Sequence, residues 1–234
     1  VSVCYHSTAV LNNILVKTLT RTTVLNRERV PSQGPVIIAS NHNNYIDPAF
    51  LVPAVPRYIY FMAKEELFGI IGVGTFLRCS GVIPIKRHRV DRAALRRAET
   101  ALNSGGVICM FPEGTRSKDG GMIPGQPGAT FVAMRSGVPV VPVGIAGTQN
   151  IRSPFDLLKR PRVIVNIGYP FIIKDTRSIG IEKDPVGQSS QSLQSNTDRI
   201  MAAIAQLLPQ EQRGVYASAV IEDAESHAAV HDSL

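Results

Sequence analysis

Apolar residues fall into short runs separated by polar, Gly- and Pro-rich stretches, and the runs alternate between strand and helix periods. Val36-Ile37-Ile38-Ala39-Ser40 is a run of strand length and reads as a buried strand. A short helix follows near residues 48–52. Tyr58-Ile59-Tyr60-Phe61-Met62 alternates with β-rich residues and predicts another strand. Residues 64–78 have helical turns interrupted by Gly69, Gly72 and Gly74, and 82–85 is a further strand. Over 91–103, Ala94, Leu95, Ala98 and Leu102 make the inner face of a helix that Gly105-Gly106 ends. Val107–Phe111 predicts a strand, 112–128 a Gly-rich loop, and 129–136 a helix stopped by Gly137. Strands at 138–145 and 162–167 and a helix near 197–208 complete the series.

Strands spaced regularly by helices imply a single α/β domain, a largely parallel mixed sheet flanked by helices. Pro139 and Pro142 remove ladder donors from the 138–145 strand, which suggests an edge or a bulge. Residues 181–197 and 213–234 have little periodicity and read as loop or disorder. In the N-terminal segment, 1–24, the residues Val10, Leu11, Ile14, Leu15 and Leu19 recur at near-helical spacing among Lys17 and Arg21. Both an interfacial amphipathic helix and a core-packing helix fit that pattern. The body is expected over 25–210, followed by an acidic, flexible tail over 211–234.

Composition changes the picture in three ways. Aromatics are 6% and Trp is absent, which argues against a base-stacking nucleic-acid platform. Charge is asymmetric: residues 1–180 carry 22 Lys+Arg against 10 Asp+Glu, and 181–234 carry 3 against 8. A basic body suits a phosphate-bearing substrate, an anionic membrane surface or nucleic acid. Cys4, Cys79 and Cys109 read as too few and too scattered for a disulfide framework or zinc site, and fit a reducing, cytoplasmic setting. No apolar stretch reaches the ~18–20 residues of a membrane span, and the start lacks the pattern of a secretory signal.

Candidate chemistry sits where strands end. His42 and Asp47 follow the first buried strand, and an imidazole with a carboxylate one turn away can act as a base fixed in one tautomer. After the 107–111 strand comes Phe111-Pro112-Glu113-Gly114-Thr115-Arg116-Ser117. Here glycine lets backbone approach an anion, Arg116 offers a fork for phosphate, and Glu113 is placed to accept from a polyol hydroxyl. Gly81-Val82-Ile83-Pro84-Ile85-Lys86-Arg87 delivers two basic residues to a strand end. There is no Gly-x-Ser-x-Gly elbow, and neither a Gly-x-Gly-x-x-Gly turn nor a P-loop follows the first strand.

In order and content, these blocks together with Val138-Pro139-Val140-Val141-Pro142-Val143 resemble the glycerolipid acyltransferase family. The likeness is to bacterial 1-acylglycerol-3-phosphate (lysophosphatidate) acyltransferases, over roughly residues 25–170. The resemblance implies a glycerol-3-phosphate acyltransferase-like fold, His42 as general base and Asp47 as its orienting partner. It implies a glycerophosphate site made of Lys64, Arg87, Glu113, Gly114, Thr115 and Arg116. The chain departs from many relatives at Gly125-Gln126-Pro127-Gly128-Ala129, where a Phe-Lys-x-Gly-Ala stretch is common.

The implied reaction moves a fatty acyl group from an acyl thioester, of CoA or acyl carrier protein, to the sn-2 hydroxyl of lysophosphatidate, giving phosphatidic acid. It needs no cofactor and no metal. The implied location is peripheral, on the cytoplasmic side of the cell membrane. Glycerol-3-phosphate or another lysolipid as acceptor is an alternative, and so is a non-catalytic lipid-phosphate or membrane-binding module. A pure binder, however, has no use for the His/Asp pair.

Overall fold

Every residue of Val36–Ser40 is buried, as expected of a strand covered on both faces. The computed structural model describes residues 3–86, 91–117, 119–173 and 187–219. Its main sheet has six strands in the order β1 (Arg21–Leu25), β8 (Arg162–Ile167), β7 (Val140–Ala146), β2 (Val36–Ser40), β6 (Val107–Met110) and β3 (Ile59–Tyr60). All neighbours are parallel except β7 and β8. The expected largely parallel α/β fold is therefore present. Two shorter strands, β4 (Met62–Lys64) and β5 (Ile83–Ile85), pair parallel in a separate sheet.

Alternation along β2 divides the interior into two cores. Val36 and Ile38 pack with Phe50 and Leu51 of helix α2 (Asp47–Ala54) and with Val16 of helix α1 (Val3–Leu19). Ile37 and Ala39 face the other way. They pack with helices α4 (Arg92–Asn103), α5 (Gly128–Ser136) and α6 (Gly187–Ala205), through residues such as Leu102, Val132 and Ile204. Asp91 caps α4 by accepting from the amides of Ala93 and Ala94, and Gly137 ends α5 at φ 65°.

Several expectations change. The strand read over 58–62 is two strands in different sheets, with buried Phe61 at the crossing. Residues 21–24, placed in the N-terminal segment by periodicity, form most of the edge strand β1, where Thr22, Thr23 and Val24 are β-branched. Residues 187–196, read as loop, are the first half of α6. The buried face that holds this helix, Ile200, Met201 and Ile204, lies in its second half. Part of the expected tail also packs: Tyr216 is buried and its hydroxyl bonds the Gly125 amide and Asp198. Residues 174–186 and 220–234 lie outside the described residues.

The strand read over 138–145 is β7, which keeps only Pro142 and is interior, between β2 and β8, so the edge reading fails and the bulge reading explains it. Pairing with β8 stops at Val143–Ile167 and resumes one residue out of step at Val140–Phe171. Pro142 stands at that break, where its missing N–H breaks no ladder bond. Cys4 of α1 and Cys79 of α3 (Val73–Cys79) stand side by side, their Cα atoms 5.7 Å apart across 75 residues of sequence, a proximity that spacing alone did not signal. Cys109 is a buried free thiol, pushed up by burial and by the nearby charge of Asp47.

The β2–β7 ladder ends at Ser40–Val143, and a side chain makes the next rung. Asn41, buried, donates from Nδ2 to the Ile145 carbonyl at 2.9 Å and accepts the Ile145 amide at 2.7 Å. The backbone is thereby free to turn away toward the site. Asn41→Ala leaves both groups of Ile145 without partners, so urea unfolding should show a loss of about 3 kcal/mol; an unchanged midpoint would show the rung to be dispensable.

Candidate active site

β2 and β6 run side by side in parallel, so the segments leaving their C-terminal ends meet. This is the position where open α/β sheets hold ligands. The segment after β2 carries His42 and runs into the first residue of α2, Asp47. His42 Nδ1 lies 2.8 Å from Asp47 Oδ2, and the same oxygen accepts the amides of Asn43 at 2.8 Å and Asn44 at 2.7 Å. Asp47 is fully buried, whereas the imidazole retains 12% exposure. The two backbone amides on this oxygen favour the carboxylate form, and a carboxylate facing Nδ1 selects the tautomer with hydrogen on that nitrogen. Nε2 is left as the ring nitrogen for the cavity. Asn44 Nδ2 donates to the carbonyls of Thr148 and Ile151, tying this turn to the loop after β7.

The segment after β6 packs against the same histidine. The Phe111 ring stacks on the imidazole with centroids 4.1 Å apart. Gly114 turns the chain at φ 68°, and a Cβ there would meet the Gln126 side chain at 3.1 Å. Arg116 lies over the Tyr45 ring, its guanidinium carbon 3.2 Å from the centroid, and donates to the Tyr45 hydroxyl. Tyr45 is 71% exposed.

His42, Tyr45, Lys64, Gly114, Thr115 and Arg116 all line one cavity of about 750 Å³. Away from these polar groups the cavity runs between α1 and α3, past Ala9, Phe61, Phe76 and Leu77. The structure thus brings together His42, Lys64, Gly114, Thr115 and Arg116, with Asp47 directly behind His42. Arg87 lies outside the described residues. Glu113 is the exception among the expected contacts. It is 2% exposed, does not line the cavity, and turns inward: Oε1 accepts the His42 amide at 2.8 Å and Oε2 the Ile123 amide at 3.2 Å. Reading the sequence missed Tyr45, Phe111 and the α1 wall. The first two lie inside the recognised blocks, while nothing in the α1 periodicity announces a cavity.

The chain belongs to the Acyltransferase family, whose model matches residues 21–146. It is similar to the chloroplastic 1-acyl-sn-glycerol-3-phosphate acyltransferase of Brassica napus, 36% identical over 134 residues, which are 56% of this chain and 39% of that protein. Similarity to the 1-acyl-sn-glycerol-3-phosphate acyltransferase of Bacillus subtilis is 29% over 148 residues, covering 63% of this chain and 72% of that one. Among solved structures, the 1-acyl-sn-glycerophosphate (LPA) acyltransferase PlsC from Thermotoga maritima superposes with a TM-score of 0.57 at 25% identity. It covers 81% of this chain and 78% of its own. The chain spans about two fifths of the length of the plant relative.

Burial pushes the Glu113 carboxyl up to about 7; the two backbone amides oppose the rise and the Asp47 charge adds to it. The folded state therefore holds this proton more tightly than the unfolded chain does. Stability from this group is present below the ordinary value of 4.5 and is lost as pH rises to about 7. The melting temperature of Glu113→Gln minus that of the wild type should climb across this window and level off above it. A difference that stays flat from pH 4.5 to 8 would contradict the buried, proton-binding carboxyl.

Proposed function

We propose that this chain transfers a fatty acyl group from an acyl thioester, of CoA or acyl carrier protein, to the sn-2 hydroxyl of 1-acyl-glycerol-3-phosphate, giving phosphatidic acid for phospholipid synthesis. One observation carries the reading: an imidazole whose Nδ1 is held by a buried carboxylate shares an apolar cavity with an arginine. The similarity to 1-acyl-sn-glycerol-3-phosphate acyltransferases supports the choice of acceptor.

In this reading His42 Nε2 takes the proton of the sn-2 hydroxyl as its oxygen attacks the thioester carbon. Asp47 stabilises the imidazolium that forms. The tetrahedral intermediate collapses with loss of the thiolate, which recovers the proton. Since the substrate hydroxyl is itself the nucleophile, no acyl-enzyme forms. Arg116, with Lys64 and Thr115 on the same wall, holds the phosphate and so sets the hydroxyl against the thioester. The apolar reach between α1 and α3 accepts an acyl chain.

Such substrates reside in bilayers, and among the described residues no helix is long and apolar enough to cross a membrane. A peripheral attachment at the cytoplasmic face fits the surface. Leu11 and Ile14 on the outside of α1, Ile71 before α3, and Phe155 and Leu158 are exposed. Lys17, Lys159 and Arg160 lie beside the first and last of these groups, Arg160 donating to the Lys17 carbonyl.

Three outcomes test this. His42→Ala should lower acyl transfer by about 10³-fold while lysophosphatidate binding by calorimetry is retained; near-normal turnover would remove the base. Arg116→Ala should raise KM for the phosphorylated acceptor by roughly 10- to 100-fold and leave that of the thioester nearly unchanged. An effect confined to the thioester would misplace the phosphate. Flotation with anionic vesicles should show binding that weakens with salt, and indifference to vesicles would refute the attachment.

A further inference from the structure

In the paired strands the residue numbers differ by a constant: Val36 stands beside Val107 and Ala39 beside Met110. Carrying that register past the strand ends sets His42 opposite Glu113, and there the Glu113 side chain takes the His42 amide at 2.8 Å. The histidine backbone is gripped on its other side as well, since the Ser117 amide donates to the His42 carbonyl at 2.9 Å. Phe111 covers the ring. Three residues of the Phe-Pro-Glu-Gly-Thr-Arg-Ser block therefore hold His42. Glu113 reaches farther still. Its second oxygen takes the amide of Ile123, in the loop that leads to Gln126, whose side chain packs on Gly114 and lines the cavity.

We infer that Glu113 is a positioning residue rather than a substrate ligand. Through the backbone amides of His42 and Ile123 it fixes where the base stands relative to the phosphate-binding turn. The inference deepens the function proposed above and rests on it. A carboxylate is the group suited to this task. Both oxygens can accept from backbone N–H groups at once, whereas an amide offers one acceptor oxygen and would present N–H against N–H at the other position. The cost of burying the group is visible in its proton affinity, raised by burial and by Asp47 and lowered by the two amides. The Tyr216 phenol is raised chiefly by burial, with smaller contributions from the charges of Asp198 and Glu113.

The consequence is separable from substrate binding. An enzyme whose base shifts by about 1 Å loses rate by about 10²-fold, whereas loss of a hydroxyl-binding group weakens the acceptor. With the full chain, wild type, Glu113→Gln and Glu113→Ala are compared by steady-state kinetics and by calorimetric binding of lysophosphatidate. Expected is a fall in kcat of about 10²-fold or more for Ala, with KM and Kd for lysophosphatidate within about twofold, and a smaller fall for Gln, which keeps one acceptor. A KM and Kd raised at least tenfold with kcat preserved would overturn the inference and make Glu113 a ligand.

Amide NMR supplies a readout that needs no turnover. The amide protons of His42 and Ile123 should shift together between pH 5 and 8 in the wild type, and the Ile123 shift should disappear in Glu113→Gln. An Ile123 amide that ignores pH in the wild type would equally refute the contact, even if Glu113→Ala fails to fold. Failure of wild-type protein to acylate lysophosphatidate at all would instead refute the proposed function and leave the amide titration to decide the role of Glu113.

Discussion

The parallel pairing of β2 with β6, in the register that sets Ala39 beside Met110, is the constraint on which the site depends. A slip by one residue would move every β2 side chain to the opposite face and exchange the two cores. Because Val36 and Ile38 fill one core and Ile37 and Ala39 the other, the register is locked by packing on both sides. The turns leaving the two strands then have no freedom over what they face. His42 meets the segment from Phe111 to Ser117 along its whole length, through a stacked ring, an accepted N–H and a donated N–H.

The polar groups divide between two tasks. Asp47, Glu113 and Asn41 are buried and spend their hydrogen bonds on the backbone or on the imidazole. Lys64, Thr115 and Arg116 line the cavity. The first group sets positions and the second meets whatever enters. Arg116 lies on the Tyr45 ring, so the guanidinium is held beside the turn that carries His42. A charge fixed in that way orients a phosphate with less reorganisation than a free side chain would need.

Much of this was legible in the chain, for identifiable reasons. Continuous apolar runs mark β2 and β6, and the helix period with its Gly105-Gly106 stop marks α4, so the sheet and its parallel character follow. The order of the blocks located His42, Asp47 and Arg116. What escaped depends on spatial registration. Glu113 resembles a substrate contact until the strand register turns it inward, and Cys4 meets Cys79 only because α1 crosses to α3. Pro139 and Pro142 look like edge or bulge signals, and only the one-residue offset near Phe171 shows how the interior strand β7 accommodates Pro142. The first half of α6 has too few apolar residues to be read as a helix and is continued from the well-packed second half.

The central claim is that His42 offers a basic Nε2 to the cavity because Asp47 fixes hydrogen on Nδ1. Nitrogen-15 NMR of the histidine side chains in this chain measures this directly, with the ring in its neutral form and the His42 signals assigned by comparison with His42→Gln. The predicted result is a protonated Nδ1 whose hydrogen resonates far downfield, and an Nε2 with the shift of an unprotonated nitrogen. A neutral ring carrying its hydrogen on Nε2 would contradict the account, because no base would then face the substrate.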